Sequence, residues 1–247
     1  MTGFIPQRSK LLFLLDYDGT LTDFKRNPEL SFLTPGTRAI LERLRRKHPI
    51  VLVSGRNTQS LLTVSRLKGF PMVGTHGFEG KNLPGGLRFA PRRLENRLKR
   101  EALQLWKNLQ VLPTRFPGIH IEKKPFSSTL HYRGLSLSPA GQKDLQRQFK
   151  SILKRTVTSR LWGVQHGKMM IEAKPKGFSK GSAVLKVWKK YPGHFPVYAG
   201  DDFTDLSVFK ALGKKGLKVA VGNRLPKSAS DLRFGSPVSF LKWLKTF

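Results

Sequence analysis

Residues Leu11 to Thr22 read LLFLLDYDGTLT, and this stretch decides the fold. Five consecutive apolar residues, Leu11 to Leu15, predict a strand that is buried on both faces, as in a parallel sheet covered by helices. The strand runs directly into Asp16 and Asp18, so we expect both carboxylates at the carboxyl end of a core strand. Open α/β sheets bind their ligands at that edge.

The spacing of the two aspartates favours a reaction centre. Side chains at i and i+2 of an extended backbone point the same way, and Gly19 permits an immediate turn, so Asp16 and Asp18 can converge. Two such carboxylates repel each other unless a cation neutralises them. A bare D-x-D-G is equally typical of a surface turn, whereas the full string DYDGTL after an apolar strand is more specific.

Length and composition limit the class of protein. A chain of 247 residues with 38% apolar residues can bury a core as one large domain or two small ones. No apolar run is long enough to span a bilayer and the N-terminus shows no apolar signal segment, so we expect no membrane partner and a cytoplasmic location. The chain has no cysteine, which excludes disulfides, thiolate metal sites and a cysteine nucleophile.

The charge of the chain is extreme. A formal net charge of +31 and a pI near 11.1 by themselves suggest a polyanionic partner. The excess is distributed, however, with +7 over residues 1–87, +13 over 88–172 and +11 over 173–247. Because no basic stripe is interleaved with aromatic residues, we interpret the charge as compositional and expect no specific nucleic-acid binding. A positive field still favours the capture of anionic phosphate esters.

A second buried strand follows the first helix. Thr34 is placed to cap a helix that begins at Pro35. Ile50 to Val53 then form an apolar strand that ends in the string Ser54-Gly55-Arg56. A hydroxyl beside a glycine at a strand tip suits a phosphate oxygen, although an ordinary turn has the same sequence.

A further helix and strand complete the first part of the chain. The helix is predicted over residues 61–67, and the strand begins at Met72 and breaks into a glycine-rich loop. His76 in this loop is either a proton carrier or, as we favour, a structural residue near a domain hinge.

Residues 88–172 change character and predict an inserted domain. The pattern is helix, strand, strand, helix, strand, strand, over Arg92–Leu112, Ile119–Lys123, Ser128–Tyr132, Pro139–Arg155, Val157–Val164 and Met169–Ala173, with turns at Gly134–Pro139 and Gly163–Lys168. This order cannot continue a parallel sheet, so we predict an antiparallel sheet with two helices on one face. The predicted fold class is α/β, a doubly wound parallel-sheet core over residues 1–87 and 173–247 with a smaller α/β cap.

Charged side chains recur on the predicted cap strands. They occur in the strings EKKP, HYR and EAKP and include Glu122, Lys124, His131, Arg133 and Glu172. Alternating carboxylates and cations are what a polyhydroxylated sugar needs, because each hydroxyl both donates and accepts. Taken alone, the same pattern also describes exposed ion pairs of little energetic value.

The parallel pattern resumes after the cap. Lys180 opens an amphipathic helix, where its ammonium could meet a bound phosphoryl group, although a surface lysine is common in so basic a chain. A strand over residues 196–199 then ends in GDDFTD, with carboxylates at Asp201, Asp202 and Asp205. Three carboxylates within five residues predict a divalent cation. A buried strand over 217–221 and a helix over 236–244 close the chain.

Together, these strings resemble the four motifs of the haloacid-dehalogenase-like phosphatases, with a cap between the second and third motif. The resemblance implies that Asp16 is a nucleophile that forms an aspartyl-phosphate and that Asp18 is the general acid and base. It further implies that Ser54, with the adjoining Gly55 and Arg56, and Lys180 bind phosphate. Mg²⁺ would be bound through Asp16, the backbone carbonyl of Asp18, and the acidic loop of Asp201, Asp202 and Asp205.

More narrowly, the chain resembles the trehalose-6-phosphate phosphatase family over nearly its whole length. The resemblance rests on DYDGTL, SGR, T-x-H-G-x-E, HYR, E-x-K-P with KG-x-A, GDD-x-TD and a terminal S-P with FL-x-WL. It implies hydrolysis of trehalose 6-phosphate, with the cap residues Glu122, Lys124, His131, Arg133 and Glu172 as sugar contacts. One departure is Leu206, where the family usually has glutamate.

Other functions remain open at the level of sequence. Related caps act on mannosyl-3-phosphoglycerate or sucrose phosphate, and an aspartyl-phosphate can pass to a sugar hydroxyl instead of water. A polyanion-binding protein on the same fold is a further hypothesis, motivated only by the net charge of +31. We expect a monomer; association with a synthase that supplies the substrate is left undecided.

Overall fold

The computed structural model describes residues 10–25, 28–133, 135–167 and 169–247. The strands are β1 Lys10–Leu15, β2 Ile50–Val53, β3 Met72–Gly74, β4 Glu79–Lys81, β5 His120–Lys123, β6 Ser128–His131, β7 Trp162–Gly167, β8 Met170–Pro175, β9 His194–Gly200, β10 Leu217–Val221 and β11 Leu232–Phe234. The α-helices are α1 Pro35–Arg45, α2 Thr58–Ser65, α3 Arg92–Leu109, α4 Leu112–Arg115, α5 Pro139–Thr156, α6 Lys180–Trp188, α7 Leu206–Leu212 and α8 Pro237–Leu244.

The described residues form two compact units. One comprises the chain up to Phe89 and from Phe178 onward, and the other spans Ala90–Gly177, where the sequence predicted a cap over 88–172. We call them the core unit and the cap unit. In the part of the chain that the structure describes, no helix is both long and apolar enough to cross a membrane.

The core unit is built on a sheet of order β11-β10-β9-β1-β2-β3-β4. Its strands pair in parallel except for β4, which runs antiparallel to β3 at the edge. The predicted doubly wound parallel core is therefore confirmed. The strand that carries the first aspartates lies in the middle, between β2 and β9.

The two faces of β1 explain its apolar sequence. Leu11, Phe13 and Leu15 face one core cluster, which includes side chains of α1 and α8, while Leu12 and Leu14 face another, which includes side chains of α6 and α7. Residues 12–15 are wholly buried. Each such side chain contributes about 1.5–3 kcal/mol on burial, so helices on both faces hold this strand tip in place.

Local signals set several of the helix starts. The Thr34 hydroxyl accepts a hydrogen bond from the Thr37 backbone N–H at 3.1 Å, and α1 begins at Pro35. Helix α2 starts earlier than predicted because the Asn57 side chain caps it. The predicted strand over 217–221 and the C-terminal helix are confirmed.

The cap unit contains an antiparallel sheet of order β5-β6-β8-β7. Helix α3 contacts β5 and β6, and α5 packs against α3. The order of elements is the predicted one with a short helix, α4, added after α3. Pro113 explains the break, because it lacks the N–H that would continue the helical ladder.

Two boundary predictions in the cap are wrong. Helix α5 runs to Thr156 and the next strand begins at Trp162, not at Val157. Gly163 to Gly167 lie in β7 instead of forming the predicted turn, because they pair with β8 in an antiparallel ladder. Lys168 and Gly134, also placed in predicted turns, lie outside the described residues, as do residues 1–9.

Candidate active site

The candidate site lies at the carboxyl edge of the core sheet. Asp16 follows β1 and its backbone N–H donates to the Ala199 carbonyl of β9 at 2.9 Å. Ser54 follows β2 on one side, and Asp201 follows β9 on the other. Because parallel strands end at the same edge, this topology brings the predicted motifs side by side.

A buried lysine joins two of the aspartates. The Lys180 Nζ donates to Asp16 Oδ1 at 2.7 Å and to Asp205 Oδ1 at 2.8 Å. The exposed fractions are 3% for Lys180, 4% for Asp16 and 0% for Asp205. Helix α6 supplies the lysine as its first residue, after the Ser179 side chain caps that helix. This ammonium is therefore part of the site and not a surface charge.

Asp205 organises the acidic loop. Its Oδ1 also accepts from the Tyr198 hydroxyl at 2.6 Å, and its Oδ2 accepts from the backbone N–H groups of Asp201 and Asp202 at 2.9 and 3.0 Å. A side chain at Gly200 would overlap the Asp205 carboxylate. Both carboxylate oxygens of Asp205 thus hold the loop that carries the other acids.

Burial sets the electrostatics of the cluster. Desolvation raises the pKa of Asp16 well above its ordinary value, an effect that the Lys180 charge opposes. Burial, with the nearby Asp202 and Asp205 charges, raises the pKa of Asp201 to about 7. For Lys180, burial alone would lower the pKa, but the Asp16 and Asp205 carboxylates outweigh it and raise the pKa. The cluster therefore contains more carboxyl groups than one lysine can neutralise.

Carboxylate oxygens converge as they would around a cation. One oxygen each of Asp16, Asp201 and Asp205 lies within 4.8 Å of the others. Gly19, with φ of +80°, brings the backbone so close that a side chain there would overlap the Asp201 carboxylate. Hard divalent cations prefer such oxygen ligands, so this donor set fits one.

The remaining acids of the motifs have different partners. Asp18 accepts two hydrogen bonds from Arg56, at 2.6 Å to Nε and 2.7 Å to Nη2. Asp202 accepts from the Thr204 N–H and hydroxyl at 2.8 and 2.6 Å. Burial would raise the pKa of Asp202, but the Lys180 charge and these hydrogen bonds lower it. Asp202 therefore stabilises the loop as an anion and lies outside the three-carboxylate group.

In the loop after β2, a backbone hydrogen bond holds the Ser54 hydroxyl in place. Ser54 is buried, and its Oγ accepts from the Arg56 backbone N–H at 3.1 Å.

Leu206, the departure from the family pattern, begins α7 and packs against the core cluster. An apolar residue there is compatible with the loop order that Asp205 provides.

Most of the predicted sugar-contact residues meet in the cap unit. Lys124 Nζ lies 3.2 Å from Glu172 Oε1 and 3.5 Å from Glu122 Oε2. His131 Nε2 lies 3.0 Å from Glu122 Oε2, and Arg133 is exposed. The two carboxylates outweigh the burial of Lys124 and raise its pKa. The strands of the cap thus carry a connected polar network.

Sequence reasoning missed three residues that contact Asp16, Asp201 or Asp205. Besides Tyr198, these are Thr20, whose hydroxyl donates to Asp16 Oδ2 at 3.4 Å, and Arg224, whose Nη1 lies 3.4 Å from Asp201 Oδ2. Tyr198 gave a local signal, a hydroxyl inside an otherwise apolar strand. Arg224 gave none, because its partner is brought close only by folding.

This fold and this arrangement of carboxylates around a lysine define a phosphatase of the haloacid-dehalogenase-like superfamily. A solved structure of a protein related to trehalose-6-phosphate phosphatase superposes with a TM-score of 0.79 and 25% identity, covering 95% of this chain and 96% of that one.

The relatives by sequence narrow the class. The trehalose-phosphatase family model matches residues 14–231. A probable trehalose-phosphate phosphatase of Sinorhizobium fredii is 31% identical over 220 residues, which are 87% of this chain and 78% of that protein. The trehalose-phosphate phosphatase of Mycobacterium bovis is 30% identical over 229 residues, 89% of this chain and 55% of that protein. The chain belongs to the trehalose-phosphatase family, which confirms the resemblance.

Proposed function

We propose that this protein hydrolyses trehalose 6-phosphate to trehalose and phosphate, with Mg²⁺ as cofactor. The observation that carries the proposal is the buried contact of Asp16 with Lys180 at 2.7 Å, at the tip of the central strand. It provides a carboxylate for attack on phosphorus beside a cation for the phosphoryl oxygens. The substrate is inferred from the names of the relatives.

Asp16 and Asp18 divide the chemistry. An Asp16 oxygen attacks phosphorus, the bond from phosphorus to the sugar oxygen breaks, and a proton from Asp18 goes to the leaving oxygen. Water then attacks the aspartyl-phosphate, gives its proton to Asp18 and releases phosphate, which restores Asp16. The Lys180 ammonium and the Ser54 hydroxyl bind the phosphoryl oxygens in both steps.

Arg56 controls where the Asp18 carboxyl group points. In this structure both Asp18 oxygens accept from Arg56, so the ion pair fixes the direction of the carboxyl group. We expect Asp18 to exchange this contact for the ester oxygen when substrate binds. Arg56 would then be released toward the phosphoryl group, which a guanidinium binds well.

The acidic group supplies the cation site. Asp16 and Asp201 are the side-chain ligands we propose for Mg²⁺, with the backbone carbonyl of Asp18. Asp205 lies in the same group, but its oxygens already accept four hydrogen bonds, so we assign it to loop order. When bound, Mg²⁺ neutralises the excess carboxylate charge and withdraws electron density from the phosphoryl oxygens.

The cap residues are proposed as the sugar contacts. Glu172 is buried, and its Oε1 accepts from Lys124, Ser127 and Thr129 at 3.2, 2.9 and 3.3 Å. Such a network is fixed before any ligand arrives, which favours recognition of hydroxyl groups with defined directions. Glu122 and His131 extend the same network, and we propose the exposed Arg133 as a further contact.

The test is phosphate release from trehalose 6-phosphate, beside glucose 6-phosphate, sucrose phosphate and mannosyl-3-phosphoglycerate, with Mg²⁺ or EDTA. Asp16→Asn should abolish release, and Asp23→Asn, a change at an exposed aspartate near the same strand, should not. Preference for another ester would overturn the assignment of substrate and leave the nucleophile. Equal activity of the Asp16→Asn variant would overturn the mechanism.

A further inference from the structure

An unusual turn lies beside the loop that follows β2. Thr75, His76 and Gly77 have φ angles of 48°, 51° and 101°, so three successive residues adopt positive φ. For a residue other than glycine, this conformation costs roughly 1–2 kcal/mol. Such a conformation persists only where the surrounding structure imposes it, and it clusters at functional sites. The proposed function so far gives this turn no role.

Glu79 anchors the turn. Its Oε2 accepts from the Thr58 N–H and hydroxyl at 3.2 and 3.1 Å, and its Oε1 accepts from the Thr75 hydroxyl. The start of β4 and the start of α2 are thereby tied to the first residue of the turn. The strained conformation is therefore held by contacts of the fold.

The turn donates hydrogen bonds to the residues on both sides of Gly55. The Thr75 N–H donates to the Arg56 carbonyl at 2.7 Å, and the His76 N–H donates to the Ser54 carbonyl at 3.1 Å. Two adjacent donors of the turn thus fix the residues before and after Gly55.

The His76 ring occupies the side-chain position of Gly55. A Cβ added at Gly55 would lie 2.6 Å from His76 Cε1 and 2.8 Å from Nε2, and the imidazole provides its three nearest neighbouring atoms. Gly55 does not have positive φ. Space for the imidazole, and not backbone conformation, is therefore the reason for glycine in this string.

The same turn contacts the helix that carries Lys180. A side chain at Gly77 would overlap the carbonyl of Ser179, the residue that caps α6. One strained turn therefore packs against both the Ser54 loop and the start of α6.

We propose that His76 is a positioning residue for phosphoryl binding. Its imidazole, pressed on Gly55 by the left-handed turn, holds the Ser54 loop in register with Lys180. This inference rests on the proposed function, because it assigns phosphoryl binding to Ser54 and Lys180. Because the ring fills the space beside Gly55, a side chain at position 55 should be tolerated only when the ring at position 76 is also removed.

The test is a double-mutant cycle on this unit. Gly55→Ala introduces the methyl group, and His76→Asn removes the outer ring atoms while keeping a residue that tolerates positive φ. We expect Gly55→Ala to weaken inorganic phosphate binding, measured by calorimetry with Mg²⁺, about tenfold, a loss of about 1.4 kcal/mol. In the His76→Asn background the same methyl group should cost less than about twofold.

Kinetic and stability measurements on the His76→Asn variant separate a positioning role of His76 from a purely structural one. His76→Asn should raise KM and the phosphate inhibition constant more than it lowers kcat, at an unchanged urea midpoint. Gly235→Ala is the matched control, because a Cβ there meets no atom within 4 Å, and its effect should not depend on residue 76. Equal Gly55→Ala penalties in both backgrounds would overturn the proposal, as would an effect of His76→Asn on stability alone.

Failure of the proposed function would look different. Wild-type protein that binds phosphate but releases none from trehalose 6-phosphate would refute the proposed substrate. The double-mutant cycle on phosphate binding would still test the role of His76. Wild-type protein that binds no phosphate with Mg²⁺ would overturn both proposals.

Discussion

Lys180→Met isolates the contribution of the buried ammonium. The substitution retains the length of the side chain and removes the charge that lies 2.7 Å from Asp16 and 2.8 Å from Asp205. Removing one partner of a buried ion pair costs about 3–5 kcal/mol, since the other charge stays desolvated. Asp205 keeps its hydroxyl and backbone donors, and Asp16 can take up a proton, so we expect the lower end, about 3 kcal/mol.

Urea unfolding followed by circular dichroism measures this cost. In EDTA at pH 7, Lys180→Met should lower the midpoint without changing the slope, while Lys186→Met, the same change at an exposed position of α6, should stay within about 0.5 kcal/mol. Added Mg²⁺ should stabilise the Lys180→Met variant more than the wild type, because a cation then replaces the lost charge. A loss below about 1 kcal/mol in EDTA would refute the reasoning, since the ammonium would not be needed to neutralise the cluster.

Three further perturbations follow from the same geometry. Gly181→Ala should lower the melting temperature although alanine normally favours a helix by about 1 kcal/mol, because its methyl would overlap the Ser207 carbonyl; a rise would contradict the packing of α6 on α7. Gly19→Ala should weaken Mg²⁺ binding in calorimetry, since φ is +80° and the methyl would displace the Asp201 carboxylate; unchanged affinity would argue against Asp201 as a ligand. In EDTA, the free energy of unfolding should fall as pH rises from about 4 to 7, because the folded state retains a proton on Asp201, whose pKa is about 7 against an ordinary 3.8. The contribution of this one proton to the pH dependence, at most about 1.4 kcal/mol per pH unit, should disappear in Asp201→Asn. An unchanged slope of the free energy of unfolding against pH in that variant would refute the assignment of this proton to Asp201.

Local sequence predicted most elements of the core, although it missed β4, α7 and β11. The apolar run before Asp16, the cap at Thr34 and the capped C-terminal helix depend on residues within a few positions of one another, which is the range that pattern and capping cover. Prediction was weaker in the cap, where β7 begins at Trp162 and contains the glycines that suggested a turn. These glycines lie in a strand because β7 pairs with β8, and short-range pattern does not encode that pairing.

The same division applies to the site. The residue types at the strand tips were predictable because each motif is contiguous in sequence. The partners of each side chain were not, since the sequence could not distinguish an acid that holds a cation from one that holds a loop. Asp205 shows the difference: the motif suggested a metal ligand, and the fold surrounds it with Lys180, Tyr198 and two backbone donors.

By itself the sequence determined the class of fold, the order of its motifs and the chemistry available at each strand tip, because periodicity, caps and motif spacing act over short distances. Only the tertiary structure decided how these groups combine. It brings Lys180 to Asp16 across 164 positions, pairs Arg56 with Asp18, and lays the His76 ring on Gly55. These contacts depend on the parallel order of β9, β1, β2 and β3, which places distant segments at one edge of the sheet.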